Sequence, residues 1–187
     1  TADADAIAVI GMAGIMPQSP DLETFWRPIE NGDDLVGEIP PDRWDWKAFH
    51  GDPQKEIKKT WAKWGGFMAD VRRFDARFFG ISRREAELMD PQQRLFLETV
   101  WKSIEDAGYR SSDLAGTKTA LFVGVAASDY NMLLREQLDD FDAYAPTGNA
   151  HSVLANRISY LLDLRGPSEP VDTACSSSLV AIHRAVR

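Results

Sequence analysis

Ser168-Glu169-Pro170-Val171-Asp172-Thr173-Ala174-Cys175-Ser176-Ser177-Ser178-Leu179-Val180-Ala181-Ile182-His183-Arg184-Ala185-Val186-Arg187 is the stretch that decides the fold of this chain. Cys175 is the only cysteine in 187 residues. Pro170-Val171-Asp172-Thr173 before it reads as a short extended run. After it, Leu179, Ile182 and Val186 recur at helical spacing. Ser176, Ser177 and Ser178 then occupy the first helical turn, where hydroxyls satisfy free backbone N–H groups. Cys175 is therefore predicted at a strand-to-helix junction. Backbone N–H groups and the helix dipole stabilise a thiolate there. The same N–H groups, beginning with that of Cys175 itself, can hold a developing oxyanion. A lone cysteine is ordinarily a small buried hydrophobe. Three serines and an Asp-Thr pair are poor company for a core plug and suit a turn that presents a side chain.

Working back from this junction, the chain alternates strands and helices. Ala6-Ile7-Ala8-Val9-Ile10 reads as a buried strand. Gly11-Met12-Ala13-Gly14 after it reads as a tight turn, since its spacing meets neither phosphate-binding glycine pattern. A helix begins at Asp21-Leu22, with Ser19 or Asp21 as cap, and ends at Asn31-Gly32. Pro40-Pro41-Asp42-Arg43-Trp44 is a rigid turn. Residues 45–66 are polar, and the pattern predicts an irregular surface excursion pinned by Trp46, Trp61 and Trp64. Lys55, Lys58 and Lys59 make it locally basic.

The best-signalled helix starts at Asp90-Pro91, with Gln93 placed as in a capping box. Leu97, Trp101 and Ile104 form one stripe and Phe96, Val100 and Ala107 another, so burial over most of its girth is expected. Gly108 ends it. Residues 119–125 are continuously apolar and predict a strand covered on both faces. Residues 130–134 begin a helix, and the acidic residues 136–144 are expected on the surface. A further helix carries Leu154, Ile158, Leu161 and Leu162 on one face, with Asn149 or Ser152 as its cap. The order predicts an α/β fold with a mostly parallel sheet and helices on both faces.

Composition narrows the function. Hydrophobic residues make up 44% and charged residues 27%, as in ordinary globular chains. No apolar run approaches the ~20 residues of a membrane span, and no leader-like segment opens the chain. One cysteine leaves no internal disulfide and points to a reducing cytoplasm. One cysteine with three scattered histidines gives no metal-site spacing. The net charge of −8 disfavours nucleic acid and anionic membrane as partners.

Asp172-Thr173-Ala174-Cys175-Ser176-Ser177-Ser178-Leu179 resembles the nucleophile motif of the β-ketoacyl synthase (ketosynthase) domains of modular type I polyketide synthases. The resemblance runs over nearly all 187 residues. It includes the Pro-x-x-Arg-Trp turn, Gly65-Gly66-Phe67, Phe79-Gly80-Ile81-Ser82 and Met89-Asp90-Pro91-Gln92-Gln93-Arg94. Residues 148–160 with Ser168-Glu169-Pro170 resemble synthases whose modules use a free-standing acyltransferase.

The resemblance implies the N-terminal half of a thiolase-like fold over residues 1–187, with the C-terminal half absent. That half holds the family's two catalytic histidines and its lysine. It implies Cys175 as the acyl-accepting nucleophile and decarboxylative Claisen condensation as the reaction. No cofactor is bound, and an acyl carrier protein delivers substrate on a phosphopantetheine arm. The other expected partners are a second protomer and the missing half. Other readings remain open: a non-extending ketosynthase that only transfers chains, a non-catalytic half-domain scaffold, and a cysteine hydrolase. The hydrolase lacks a base. His183 lies 183 − 175 = 8 positions along the helix, ~12 Å up its axis, and His50 and His151 read as structural. Carrier proteins of this family are acidic, so docking calls for local cations. Arg72, Arg73, Arg77, Arg83 and Arg84 form the densest cluster, against a solvated charged face as the alternative.

Overall fold

The computed structural model describes residues 6–137 and 143–187. They fall into two units. One is Ala13–Val71; the other comprises Arg72–Arg187 with the described residues of Thr1–Met12.

In the first unit, α1 (Leu22–Asn31) starts where the Asp21 carboxylate accepts the Thr24 N–H at 2.7 Å. It ends at Gly32, whose φ of 72° glycine adopts without steric cost. The short elements β1 (Gly37–Glu38), α2 (Trp46–Phe49) and β2 (Trp64–Gly65) follow, with β1 and β2 antiparallel. The three tryptophans do not all pin this stretch. Trp46 is half-buried, with the Lys63 ammonium 5.3 Å from its ring centroid. Trp61 and Trp64 are exposed. The reason is local: the buried hydrophobic residues of the described chain all lie in the other unit, so here there is no core for an indole to enter.

The second unit contains α3 (Arg83–Leu88), α4 (Pro91–Asp106), α5 (Ser111–Leu114), β3 (Leu121–Gly124) and α6 (Tyr130–Gln137). It continues through α7 (Tyr144–Asn149), α8 (His151–Leu161), β4 (Ser168–Val171), a 3₁₀ turn (Ala174–Ser176) and α9 (Ser177–Val186). Strands β3 and β4 run parallel, with Leu121 opposite Ser168 and Gly124 opposite Val171. Alternation along the strands assigns the two faces. Ser168 Oγ meets Ser159 Oγ of α8 at 2.8 Å, and Val123 and Val125 pack with Leu154 and Ala155 of α8. On the opposite face, Glu169 takes a 2.7 Å ion pair from Arg184 of α9. The parallel pairing and the helix on each face are as the sequence predicts. Among the described residues, however, β3 has a single strand neighbour.

Four local readings are corrected. Residues 6–10 form no strand, and Ile7, Val9 and Ile10 are exposed. Among the described residues no ladder partner satisfies their backbone, and an extended run without a partner is not a strand. The segment is fixed at its end. There the Met12 N–H donates to Asp106 Oδ2 at 2.7 Å, and a Cβ on Gly11 would fall 2.4 Å from the Ser103 carbonyl oxygen.

The capping box of α4 does not close either. Asp90 caps it, accepting the Gln92 N–H at 2.8 Å. Buried Gln93 instead turns its amide to the carbonyls of Thr147 and Ala150. Helix α4 is fully buried only at Gln93 and Leu97, because one face alone meets the cluster of Ile81, Ala86, Met89 and Ile158. Asn149 does not cap α8. It ends α7, and its amide donates to the carbonyls of Leu88, at 3.1 Å, and Ala145, at 2.7 Å. Ser152 supplies no cap hydrogen bond either, and Ala150 stands at the boundary. Of the acidic run 136–144, residues 138–142 lie outside the described residues.

One polar tie gathers four helices. Arg157 of α8 pairs with Glu85 of α3, their side chains 12% and 21% exposed, and its Nε donates to Gln93 Oε1 of α4. Gln93 in turn holds the α7–α8 boundary. Breaking such a pair leaves a poorly solvated charge behind. Arg157→Ala is expected to destabilise the fold by about 3 kcal/mol, lowering Tm by roughly 6–10 °C. Thermal unfolding of the full-length protein checks this; an unchanged Tm would show that the tie contributes nothing.

Candidate active site

The approach to Cys175 is built from a strand, a strained turn and a helix. Strand β4 ends at Val171, which is buried. Asp172 Oδ1 then accepts the Ala174 N–H at 3.0 Å, an Asx turn that reverses the chain. Ala174 takes a φ of 56°, in the left-handed region where a side chain is disfavoured. Cys175 follows in the 3₁₀ turn, exposed, directly before α9. The sequence thus places the thiol correctly, at a strand-to-helix junction next to a helix N-terminus.

The serines act differently from the expectation. None caps α9 through its side chain. Ser177, buried at 5% exposure, accepts the Thr173 N–H at 2.9 Å and donates to the Ala174 carbonyl at 2.7 Å. Ser176 Oγ lies 2.9 Å from both the carbonyl and the hydroxyl oxygen of Thr173. These bonds fasten the turn to itself on both sides of Cys175. Exposed thiol and fixed backbone coexist because the hydroxyls stabilise the main chain and leave the sulfur free.

The seat of α9 also departs from its sequence pattern. Its buried residues are Ser177 and Ala181, while Leu179, Ile182 and Val186 are exposed. The face against the sheet is the small-residue face, because β3 approaches too closely for anything larger. A Cβ on Gly124 would lie 2.7 Å from the Ser178 nitrogen and 2.9 Å from the Ser177 carbonyl carbon. Gly124 is a positioning residue that sequence reasoning passed over. The available signal was a glycine inside a strand, which marks close backbone approach.

No histidine stands ready as a base on the described geometry. His183 is exposed in the last turn of α9. His151 Nε2 is 3.0 Å from the Ala127 carbonyl oxygen, and His50 packs edge-on against Trp46. Among the described residues no cluster of His, Cys, Asp and Glu is arranged to hold a metal. No described helix is long and apolar enough to cross a membrane.

The five candidate docking arginines are all exposed. The structure brings Arg72, Arg77 and Arg83 together on one cleft of about 420 Å³, with Arg94 as a fourth that the sequence reading omitted. Arg73 and Arg84 do not line it. The Glu87 carboxylate, first by a hydrogen bond and then by its charge, raises the pKa of Arg83 above its ordinary value. Of the lysines, Lys55 pairs with Asp52 and Lys59 donates to the Ala48 carbonyl.

Comparison with known proteins fixes the class. Residues 4–187 match the family model of the beta-ketoacyl synthase N-terminal domain, and the chain belongs to that family. It is 52% identical over 182 residues to polyketide synthase PksN of Bacillus subtilis, covering 97% of this chain and 3% of that protein. It is 49% identical over 181 residues to polyketide synthase ThaG of Burkholderia thailandensis, again covering 97% and 3%. Among solved structures, the oxazolomycin ketosynthase domain OzmH KS7 of Streptomyces albus superposes with a TM-score of 0.85 at 42% identity, over 96% of this chain and 31% of that one. The module 6 ketosynthase of the Bacillus subtilis bacillaene synthase gives 0.82 at 36%, over 95% and 28%. The architecture is that of the N-terminal half of a thiolase-like α/β fold. The chain spans under a third of the solved chains and a far smaller part of the synthases.

Gly124→Ala is expected to push the first turn of α9 off the strand. The overpacking should cost about 1–3 kcal/mol. It should also slow alkylation of Cys175 by iodoacetamide several-fold in protein that is still folded at the assay temperature. Unchanged stability together with unchanged labelling would show that the close approach does not set the position of the thiol.

Proposed function

We propose that this chain is the nucleophile-bearing half of a polyketide-synthase ketosynthase. The observation that carries this is the exposed Cys175, held by a self-fastened turn between β4 and α9, in a chain that matches the family over residues 4–187. The Cys175 thiolate attacks the thioester carbonyl of an acyl group borne on the phosphopantetheine arm of a carrier protein. The backbone N–H of Cys175 stabilises the oxyanion. Collapse expels the phosphopantetheine thiolate, which takes up a proton, and leaves the acyl chain on sulfur. Covalent catalysis splits one hard step into two easier ones.

In the second step, a malonyl-type extender on another carrier protein loses CO2. The enolate formed attacks the acyl–Cys175 carbonyl, and the Cys175 thiolate leaves. Enolate stabilisation falls to the histidines that the family resemblance assigns to the C-terminal half, which would complete the domain begun by residues 1–187. A free-standing acyltransferase supplies the extender, a reading supported by the sequence of residues 148–160. Arg72, Arg73, Arg77, Arg83 and Arg84 form the field that attracts the carrier protein. A second protomer pairs along the outer edge of β4. Support for that pairing is that, of the described strands, only β3 is paired to β4.

Three measurements on the full-length protein test this reading. Intact-mass analysis should find the acyl group on the unaltered enzyme and none on Cys175→Ala or Cys175→Ser, since a serine hydroxyl is a poor nucleophile without a strong base. An acyl-enzyme formed by Cys175→Ala would end the proposal. A new carbon–carbon bond with CO2 release marks an extending enzyme, and transfer alone marks a non-extending one. Light scattering at micromolar concentration should show a dimer; a monomer would remove the edge-pairing role of β4.

A further inference from the structure

Two strands end together beside the thiol. Gly124 lies opposite Val171, and the Val125 N–H donates to the Val171 carbonyl at 3.0 Å. From that edge β4 runs into the Cys175 turn, and β3 runs into residues 126–129, which are exposed. In open α/β sheets, ligands are met at the carboxyl ends of the strands. The segment 126–129 therefore flanks the approach to Cys175. Its side chains, Ala126, Ala127, Ser128 and Asp129, include no apolar group large enough to anchor it.

Anchorage comes from two distant helices. The Ala127 carbonyl oxygen lies 3.0 Å from Gln92 Nε2 and 3.0 Å from His151 Nε2. A carbonyl oxygen has two lone pairs and can take both donors, which puts the imidazole hydrogen on Nε2. Gln92 stands in the first turn of α4 and also donates to Asp90 Oδ2 at 3.2 Å. His151 is half-buried and opens α8. The two helix starts are themselves joined, because Gln93 donates to the Ala150 carbonyl. Just past the segment, the Tyr130 hydroxyl donates to the Glu87 carbonyl at 2.7 Å. Ala127 is exposed, so water could satisfy its carbonyl. Ordering two side chains around it costs conformational entropy and fills no buried vacancy. What the two bonds achieve is a fixed place for the segment.

We propose that Gln92 and His151 are positioning residues for the acylation of Cys175. By sharing the Ala127 carbonyl they hold residues 126–129 where the incoming acyl thioester settles against them. The inference rests on Cys175 being the acyl acceptor. Neither side chain touches the reacting atoms. The two bonds are redundant: either donor alone keeps the segment in place, and loss of both releases it.

The test uses the full-length protein, with butanoyl-N-acetylcysteamine as acyl donor and iodoacetamide as a probe of the thiol alone. Gln92→Met and His151→Leu each remove one donor. Each should raise the thioester concentration for half-maximal acylation by about two- to threefold, and the double variant by at least about tenfold, more than the product of the two. The maximal acylation rate and the rate of iodoacetamide labelling should stay within about twofold, since the thiol is held by α9 and its own turn. His151→Gln, whose amide nitrogen reaches as far as Nε2, should behave as the unaltered protein. Amide hydrogen exchange over residues 126–132 should quicken in the double variant and not in either single one. Melting curves confirm that each variant is folded. Should the double variant not fold, His151→Leu against His151→Gln decides, because the two differ in the donor.

A double variant acylated as readily as the unaltered protein would overturn the proposal and leave Cys175 as the nucleophile. So would equal slowing of acylation and of iodoacetamide labelling, which marks a general loosening of the site. A His151→Gln variant as impaired as His151→Leu would overturn it too. An unaltered protein that takes up no acyl group would instead remove the nucleophile reading, and the positioning role with it.

Discussion

The contact on which this structure turns is the approach of helix α9 to strand β3 at Gly124. Backbone lies on backbone there, with no room for a Cβ. Such closeness makes the strand and the helix one rigid piece, because neither can shift without the other. Glu169 and Arg184 clamp the same helix to β4 further along. Cys175 sits at the near end of that clamped helix, so its position follows from main-chain packing and not from the rotamers of flexible neighbours. The turn before it adds a second constraint. A left-handed Ala174 is held by the Asp172 carboxylate and the Ser177 hydroxyl, which together keep a disfavoured backbone in place.

Much of this was legible in the sequence, for reasons that differ from element to element. Asp90-Pro91 announced α4 because a cap and a proline act through adjacent atoms. Asp21 and Gly32 bounded α1 for the same reason. The strand–cysteine–helix junction was legible because Ser, Thr and Asp have few uses beside an apolar helix other than a turn. Periodicity gave the presence of α9 but not its inner face. The spacing of Leu179, Ile182 and Val186 says helix and does not say which side meets the sheet. That choice was made by Gly124, far back in the chain, whose missing side chain admits only the serine and alanine face.

The same lesson applies to the polar residues. Gln93 and Asn149 occupy positions that read locally as caps, and each is drawn instead to carbonyl groups distant in sequence. Local chemistry proposes a partner; burial selects among the partners that tertiary structure brings within reach. The apolar run Ala6 to Ile10 failed for the complementary reason. Composition shows that a segment can be a strand, but a ladder needs a neighbour, and composition is silent on neighbours. Arg94 escaped notice because a single arginine inside a helix carries no signal until the fold sets it on the same cleft as Arg72, Arg77 and Arg83.

The outward stripe of Leu179, Ile182 and Val186 has a colloidal consequence. Three aliphatic side chains in line on one helix form an adhesive strip, and the net charge of −8 is what keeps two such strips apart in dilute solution at neutral pH. That protection is not constant. As the medium is acidified towards the isoelectric point near 4.9, the mutual repulsion fades while the aliphatic surface is unchanged. Added salt thins the repulsion at neutral pH in the same way. A preparation of this chain by itself would therefore stay clear in dilute neutral buffer and turn cloudy on mild acidification, with no unfolding required.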